Sequence, residues 1–199
     1  MKELIIASNN RHKIEEITSV AHGRLMLLSL TDIGCSEEIP EDYETLQENA
    51  RAKARYIYDK YGRDCFADDT GLFVEALNGE PGVYSARYAG LHASYDDNVR
   101  KLLNRMENQT NRRAEFRTVI CLIESGIEKY FTGICKGHIT EQYKGTGGFG
   151  YDPVFVPEGM NRTFAEMTMQ EKNSVSHRSL AIRQFLDYVL LEHKKNVFI

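Results

Sequence analysis

The sequence predicts an α/β protein with a mixed β-sheet flanked by helices. Two observations carry this prediction. Short β-rich runs alternate with amphipathic helical segments near the start of the chain, and two long β-rich runs meet at a turn near its middle. Alternation favours parallel strands joined by helices, whereas a tight turn requires an antiparallel pair. We therefore expect the sheet to contain both kinds of pairing.

The first two predicted strands enclose an amphipathic helix. The β-rich run "KELIIAS" at residues 2–8 predicts a strand, and Ile14, Ile17 and Ala21 follow it at helical spacing. The run "RLMLLSL" predicts the second strand. This order of elements is the basic unit of a parallel sheet.

The next segment carries the clearest helix signals. Thr45 and Glu48 have the spacing of a capping box, and Gly62 stands where a helix would stop. The run "DCFA" then predicts a third strand, which ends immediately before Asp68 and Asp69. The two acids are thus expected at the carboxyl end of that strand.

The second half is predicted to contain a helix, a hairpin, a strand and a closing helix. Ser94 caps the helical segment "SYDDNVRKLLNRM", and a turn at residues 125–126 joins the two long β-rich runs. The run "YDPVFVP" predicts a strand, and residues 176–193 predict the last helix. Because no linker or repeat divides the sequence, we expect a single domain over residues 1–199.

The composition is that of an ordinary globular protein. Of the 199 residues, 42% are hydrophobic and 27% are charged, and the net charge of −4 gives no bulk attraction for nucleic acid or membrane. The cysteines lack zinc-site spacing, and the N-terminal apolar run is too short for a signal peptide or a membrane span. We expect a cytoplasmic protein with reduced cysteines and with neither nucleic acid nor membrane as a partner.

Four clusters of residues could carry chemistry, and the first is "SNNRHK" at residues 8–13. It joins the first predicted strand to the first helix, where backbone N–H groups attract anions and Lys13 adds a positive charge. The segment lacks the glycines of a Walker A loop. It therefore indicates either a phosphate site or a polar helix cap with a solvated lysine.

The second cluster is "ADDTG". Acids at the carboxyl end of a strand lie where open α/β sheets bind ligands, and paired carboxylates suit Mg²⁺. The same residues also favour a plain turn. The acidic segment that contains Glu41 could supply another metal ligand or form a solvated surface, and Lys53 is equally open to a binding or a surface role.

The third and fourth clusters are "GTGGFGYDP" and "EKNSVSHR". The glycines of the former would let backbone approach a ligand and leave Phe149 available to stack on a base, unless they only form a flexible loop. The latter places His177 and Arg178 at the start of the last helix, where cations are unfavourable. His177 and Arg178 therefore indicate either a ligand-binding role or a solvated surface pair. Taken together, the four clusters indicate a nucleoside triphosphate site.

Whole motifs of the sequence resemble the inosine/xanthosine triphosphate pyrophosphatase family of the HAM1 type. The shared motifs span nearly the whole chain: "SNNRHK", "ENARAKA", "FADDTGLFVEALNGEPGVYSARYAG", "GTGGFGYDPVF" and "EKNSVSHR". The resemblance implies an elongated, two-lobed α/β domain with an active-site cleft between the lobes. It also implies a homodimer that hydrolyses ITP, dITP and XTP to the monophosphate and pyrophosphate with Mg²⁺ as cofactor.

The resemblance further implies roles for individual residues. Asp69 is implied as the catalytic base and a metal ligand, with Glu41 and Asp68 as further candidate ligands. Substrate binding is implied for Ser8, Asn9, Asn10, Arg11, His12, Lys13, Lys53, Thr70, Phe149, Gly150, Tyr151, Asp152, Lys172, His177 and Arg178. We expect His177 and Arg178 to donate to the 6-oxygen of hypoxanthine or xanthine, because adenine has an amino group there.

One segment departs from the family pattern. Members commonly carry Glu-Glu-Thr-Gly shortly before "ENA", whereas this chain has "PEDY" there, with Pro40 in place of the first acid. Two alternatives remain open: a Maf-type pyrophosphatase acting on dTTP, UTP or modified pyrimidine nucleotides, and a nucleotide-sensing module that binds without hydrolysis. "GFGYDP" argues against the former and "DDTG" against the latter.

Overall fold

The computed structural model of the protein describes residues 2–37 and 39–196. The strands are β1 (Glu3–Ile6), β2 (Met26–Leu28), β3 (Cys65–Val74), β4 (Pro81–Gly82), β5 (Arg113–Glu124), β6 (Ile127–Ile139) and β7 (Phe155–Pro157). The α-helices are α1 (Arg11–Ala21), α2 (Leu46–Tyr61), α3 (Tyr95–Arg105), α4 (Met169–Val175) and α5 (His177–Asn196). Short 3₁₀ turns occupy Glu75–Leu77, Ser85–Arg87, Asp152–Val154 and Phe164–Glu166.

The strands form a mixed sheet, as predicted. The order is β2-β1-β3-β5-β6-β7, and β4 pairs with β3 outside this path. β1 is parallel to both β2 and β3, whereas the β3–β4 and β6–β7 pairs are antiparallel. The α/β class with a mixed sheet is thereby confirmed.

The chain divides into two compact units. Unit 1 contains the described residues up to Asp69, Thr118–Gly133 and those from Arg178 onward. Unit 2 contains Thr70–Arg117 and Ile134–His177. A single domain over residues 1–199 stays a prediction.

Unit 1 buries apolar side chains on both faces of its part of the sheet. Successive residues of a strand point to opposite faces. Accordingly, Leu4 and Ile6 of β1 pack with α1 and α5, whereas Ile5 and Ala7 pack with α2. The helices therefore flank the sheet, and their buried apolar faces supply most of their stability.

Unit 2 has an apolar core of its own. Leu102 of α3 is fully buried in it with Phe155 of β7. Phe116 of β5 packs against Phe155 with ring centroids 4.7 Å apart in an edge-on arrangement, which is a favoured geometry for aromatic pairs.

Local sequence signals set several element boundaries. The Thr45 hydroxyl accepts a hydrogen bond from the Glu48 N–H and donates one to the Glu48 carboxylate, and Gly62 ends α2 with a positive φ of 63°. Ser125 and Gly126 form the predicted turn between β5 and β6 with φ values of 48° and 81°. Positive φ at both positions suits a two-residue hairpin turn.

The strand prediction around the acid pair is wrong. β3 does not end at Ala67 but runs through Asp68 and Asp69 to Val74, so the alternative of a plain turn is also excluded. Both acids are buried beside cations from helices. These tertiary ion pairs override the turn preference of the local sequence.

Two other boundaries also differ from the prediction. Residues 152–154 form a 3₁₀ turn, and only Phe155–Pro157 is a strand. Pro153 explains this, because it cannot donate to a sheet but suits the first turn of a helix. Most of "EKNSVSHR" belongs to α4, which Thr168 caps, while α5 begins separately at His177.

Candidate active site

Asp68 and Asp69 are neighbours on β3 and therefore point to opposite faces of the sheet. The Asp68 Oδ2 atom lies 3.3 Å from Lys13 Nζ of α1 and 3.4 Å from Arg178 Nε of α5. The Asp69 Oδ1 atom lies 3.4 Å from Lys53 Nζ of α2. The two buried acids thus face cations from different helices: Asp68 faces those of α1 and α5, and Asp69 faces that of α2.

The two acids differ in proton affinity. Burial opposes ionisation of Asp68, but the charges of Lys13 and Arg178 outweigh burial and hold the pKa of Asp68 well below its usual range. At Asp69 burial dominates over the attraction of Lys53, and the pKa is raised. Asp68 is therefore a permanent anion, and Asp69 is the better proton acceptor of the two.

Lys53 links three oxygen atoms within unit 1. Its Nζ atom lies 2.7 Å from the Asp68 carbonyl oxygen, contacts the carboxylate of Asp69 and donates to the carboxylate of Glu41. Burial alone would lower the pKa of Lys53, but Asp69 and Glu41 outweigh burial and raise it. Lys53 therefore remains protonated and holds Glu41, the acid beside Pro40, at the site.

The segment at residues 8–13 does form the start of α1. The Asn10 Oδ1 atom accepts a hydrogen bond from the Lys13 N–H at 3.2 Å, and the Ser8 hydroxyl accepts one from the Asn10 N–H at 3.2 Å. Asn9, Arg11 and His12 are exposed. The polar cap is thus real, while the Lys13 side chain is directed to Asp68 and is not merely solvated.

Arg178 is buried within unit 1 and pairs with two acids. Its guanidinium donates to the carboxylates of Glu16 and Asp68. Glu16, a buried residue of α1, is not among the site residues predicted from the sequence. The one sequence feature that could have indicated a buried role for Glu16 is its position next to Ile17, on the apolar face of an amphipathic helix.

The glycine-rich segment of unit 2 is closely packed against its own unit. An added Cβ at Gly145 would lie 2.6 Å from the backbone of Ala165, and one at Gly148 would lie 2.1 Å from Asp152 Oδ2. The Gly147 N–H donates to the Ala165 carbonyl at 3.0 Å. These glycines serve internal packing, so the segment is not simply a flexible loop. Gly150, with φ of 60°, has open space at the Cβ position.

Phe149 is held by Asp152 and Lys172. The Phe149 N–H donates to the Asp152 carboxylate at 2.8 Å, and Lys172 Nζ donates to the same Oδ2 atom at 2.6 Å. The ammonium also lies 5.1 Å from the Phe149 ring centroid, within cation–π range. The structure therefore brings these three predicted residues together.

Two further predicted residues have side chains in the core of unit 2. The Tyr151 hydroxyl donates to the Ser85 carbonyl at 2.9 Å, and the His177 ring stacks on Phe116 at 4.4 Å between centroids. Both residues are almost fully buried. Thr70 is half-buried on β3.

The acids of unit 1 fit a hard cation by their donor chemistry. Glu41, Asp68 and Asp69 offer carboxylate oxygens, which Mg²⁺ prefers. Within the described residues no three metal-binding side chains are already arranged around one point. Mg²⁺ commonly takes one or two protein carboxylates together with substrate phosphates and water, so the residues present suffice.

The sequence and the structure both resemble known proteins over most of their length. The Ham1 family model matches residues 4–188. A dITP/XTP pyrophosphatase of Flavobacterium johnsoniae is 55% identical over 93% of this chain and 96% of its own, and one of Porphyromonas gingivalis is 50% identical over 96% and 98%. The Ham1 protein of Staphylococcus aureus superposes with a TM-score of 0.87 at 37% identity, over 96% of this chain and all of its own. The chain belongs to the Ham1 family.

Proposed function

We propose that this protein hydrolyses the non-standard purine nucleoside triphosphates ITP, dITP and XTP to the monophosphate and pyrophosphate, and so cleanses the nucleotide pool. The observation that carries the proposal is the buried pair Asp68 and Asp69, whose carboxylates lie beside the ammonium groups of Lys13 and Lys53 respectively. The names of the similar proteins from Flavobacterium and Porphyromonas support the substrate class.

In this proposal Asp69 is the general base. Its buried carboxylate on β3 can take a proton from the water attacking the α-phosphorus. Lys13 and Lys53 then hold the phosphates, together with the polar residues at the start of α1. Fixed cations stabilise the charge that develops on phosphate oxygens in the transition state.

Mg²⁺ is the proposed cofactor, held by Asp69 and Glu41, with Asp68 as a further candidate. When bound, it would neutralise charge on the phosphate oxygens. Because Glu41 already lies beside Lys53, the proline next to it does not remove this acid from the site.

Unit 2 is proposed to bind the base. The Phe149 ring can stack on any purine, and Asp152 and Lys172 fix its position. Gly150, Tyr151 and Thr70 are proposed to contribute backbone or short side-chain contacts, and His177 to favour a 6-oxygen over an amino group. Arg178, a residue of unit 1, is proposed to favour the 6-oxygen as well.

We further propose that the protein acts as a cytoplasmic homodimer, without nucleic acid or membrane as a partner. A cytoplasmic location suits an enzyme that acts on free nucleotides. In the part of the chain that the structure describes, no helix is long and apolar enough to cross a membrane.

The deciding experiment is product analysis with ITP and Mg²⁺. We expect IMP and pyrophosphate in equal amounts, and much lower kcat/KM for ATP. IDP with orthophosphate would contradict attack at the α-phosphorus. Binding of ITP without turnover would favour the nucleotide sensor, and a preference for dTTP or UTP would favour the Maf-type alternative. Light scattering coupled to size exclusion checks the dimer.

A further inference from the structure

The orientation of Phe149 depends on contacts with its neighbours, because glycines flank it. Gly148 and Gly150 both have positive φ, 71° and 60°, and glycine gives the backbone on either side unusual freedom. An aromatic ring that must stack on a base needs a fixed orientation before the base arrives. Asp152 accepts a hydrogen bond from the Phe149 N–H, and the Lys172 ammonium lies 5.1 Å from the ring centroid. A further contact to the ring comes from α3.

The first turn of α3 lies against that ring. Tyr95, the first residue of α3, packs on Phe149 with ring centroids 5.9 Å apart and an interplanar angle of 53°. This tilted geometry lies within the range of favourable aromatic pairs. It does not leave the parallel gap that an inserted base would need, so Tyr95 contacts Phe149 itself.

Tyr95 stands on a well-fixed support. Ser94 and Asp97 form a reciprocal capping box at the start of α3. One turn later, the buried Asn98 accepts a hydrogen bond from the Ala89 N–H at 2.7 Å and donates one to the Ala86 carbonyl at 3.1 Å. A capped and anchored helix start positions a side chain better than a loop does.

A second contact joins α3 to the chain before the glycines. The Tyr143 hydroxyl donates to the Asp96 carboxylate at 2.8 Å. Tyr143 is two residues before Gly145, whose close packing on Ala165 fixes the segment further along. The helix start therefore contacts Phe149 within the glycine-rich segment and Tyr143 just before it.

We infer that the first turn of α3 is a brace for the base-stacking ring, and that Tyr95 is a positioning residue for purine binding through Phe149. The inference rests on the proposed function for its effect on catalysis, but the brace itself can be measured without any substrate. Tyr95 acts before the nucleotide binds, by restricting the ring of Phe149 to the stacking orientation.

The brace is tested first with a fluorescent probe. The chain contains no tryptophan, so Phe149→Trp introduces a single reporter at the position in question. In this background we expect Tyr95→Ala to shift the emission to longer wavelength and to increase quenching by acrylamide, while Tyr95→Phe leaves both unchanged. Tyr143→Phe removes one hydroxyl and keeps the shape. It should shift the emission and increase the quenching in the same direction as Tyr95→Ala, but by less.

The catalytic consequence is tested with ITP and the natural Phe149. We expect Tyr95→Ala to raise KM by about two- to tenfold, the energy range of an aromatic pair, with kcat changed little. Tyr95→Phe should restore KM. The matched control is Tyr84→Ala, an exposed tyrosine of the same unit that packs on Arg87, and it should leave KM unchanged.

A double-mutant cycle separates positioning from direct contact. If Tyr95 acts through Phe149, Tyr95→Ala adds nothing to the KM of Phe149→Ala. Additive effects would show that Tyr95 touches the nucleotide itself and would overturn the inference. Unchanged emission and quenching on Tyr95→Ala would also overturn it, even in an enzyme fully active on ITP. A responsive probe in a protein that does not hydrolyse ITP would uphold the brace and reject the proposed function.

Discussion

The two units hold their candidate residues in different ways. In unit 1 the side chains are buried charges, and each is kept in place by opposite charges: Lys13 and Arg178 around Asp68, and Lys53 beside Asp69. In unit 2 the Phe149 segment is kept in place by close backbone packing, by rings and by the buried ion pair of Asp152 with Lys172. Unit 1 therefore depends on charge, whereas unit 2 depends on shape together with one ion pair.

The most severe test of this comparison is Asp69→Asn. The substitution keeps the shape but removes the proton acceptor, so we expect kcat for ITP to fall by about 10²–10⁴-fold. Lys53 keeps Glu41 as a partner, and the protein should therefore stay folded, as circular dichroism would show. Asp187→Asn, at an exposed position of α5, is the matched control. A variant with more than about a tenth of the original kcat would remove Asp69 from its role.

Arg178→Ala tests how much the buried charges of unit 1 contribute to the free energy of unfolding. Glu16 and Asp68 would lose their shared cation, so we expect the free energy of unfolding in urea to fall by about 3–5 kcal/mol. The exposed Arg183→Ala on the same helix should have little effect. The ITP-to-ATP ratio of kcat/KM, measured where the variant is folded, should also narrow. An unchanged ratio would make Arg178 a structural residue and refute its part in base selection.

Gly148→Ala is the corresponding test of shape in unit 2. The new Cβ would meet Asp152 Oδ2 at 2.1 Å on a backbone with φ of 71°. We expect a loss of about 2–4 kcal/mol in the free energy of unfolding, the sum of left-handed strain and overpacking. Gly159→Ala has φ of 76° but open space, and should cost only the strain, about 1–2 kcal/mol. Equal losses in the two variants would show that packing at Gly148 is unimportant.

The ion pairs of Glu128 test whether charge also stabilises unit 1 away from the candidate site, and here we expect the smallest effect. Glu128 of β6 accepts from Arg55 and Arg51 of α2, and the bond from Arg55 is the main reason why its pKa is lowered from 4.5 to about 2. A lowered carboxyl pKa means that the stabilisation is present above about pH 4.5 and is lost as the pH falls towards 2. After allowance for solvent screening, we expect Glu128→Gln to cost about 1–2 kcal/mol near neutral pH.

The measurement is the free energy of unfolding of both proteins across this pH range. Their difference should shrink as the solution becomes more acidic, because the glutamate then loses its charge. A difference that stays constant from neutral to acidic pH would mean that packing, and not charge, joins α2 to β6 at this point.

Local chemistry was enough to predict most elements from the sequence. The cap at Thr45, the stop at Gly62 and the turn at Ser125–Gly126 all lie where the sequence places them. Their signals are short-range, because each depends on hydrogen bonds or on a φ preference within a few residues. The predicted strand end at Ala67 failed because helices distant in sequence supply the partners of Asp68 and Asp69. The late start of β7 has a local cause, Pro153, which the strand prediction did not weigh.

For the candidate site, the residue types and, through shared motifs, the resemblance to a family can be read from the sequence alone. The positions of Asp68 and Asp69 inside a strand, the pairing of Glu16 with Arg178 and the packing of Tyr95 on Phe149 depend on the folded chain. The reason is physical. A buried charge or ring is placed by partners far away in sequence, and a local pattern cannot encode which helix supplies the opposite charge or the neighbouring ring.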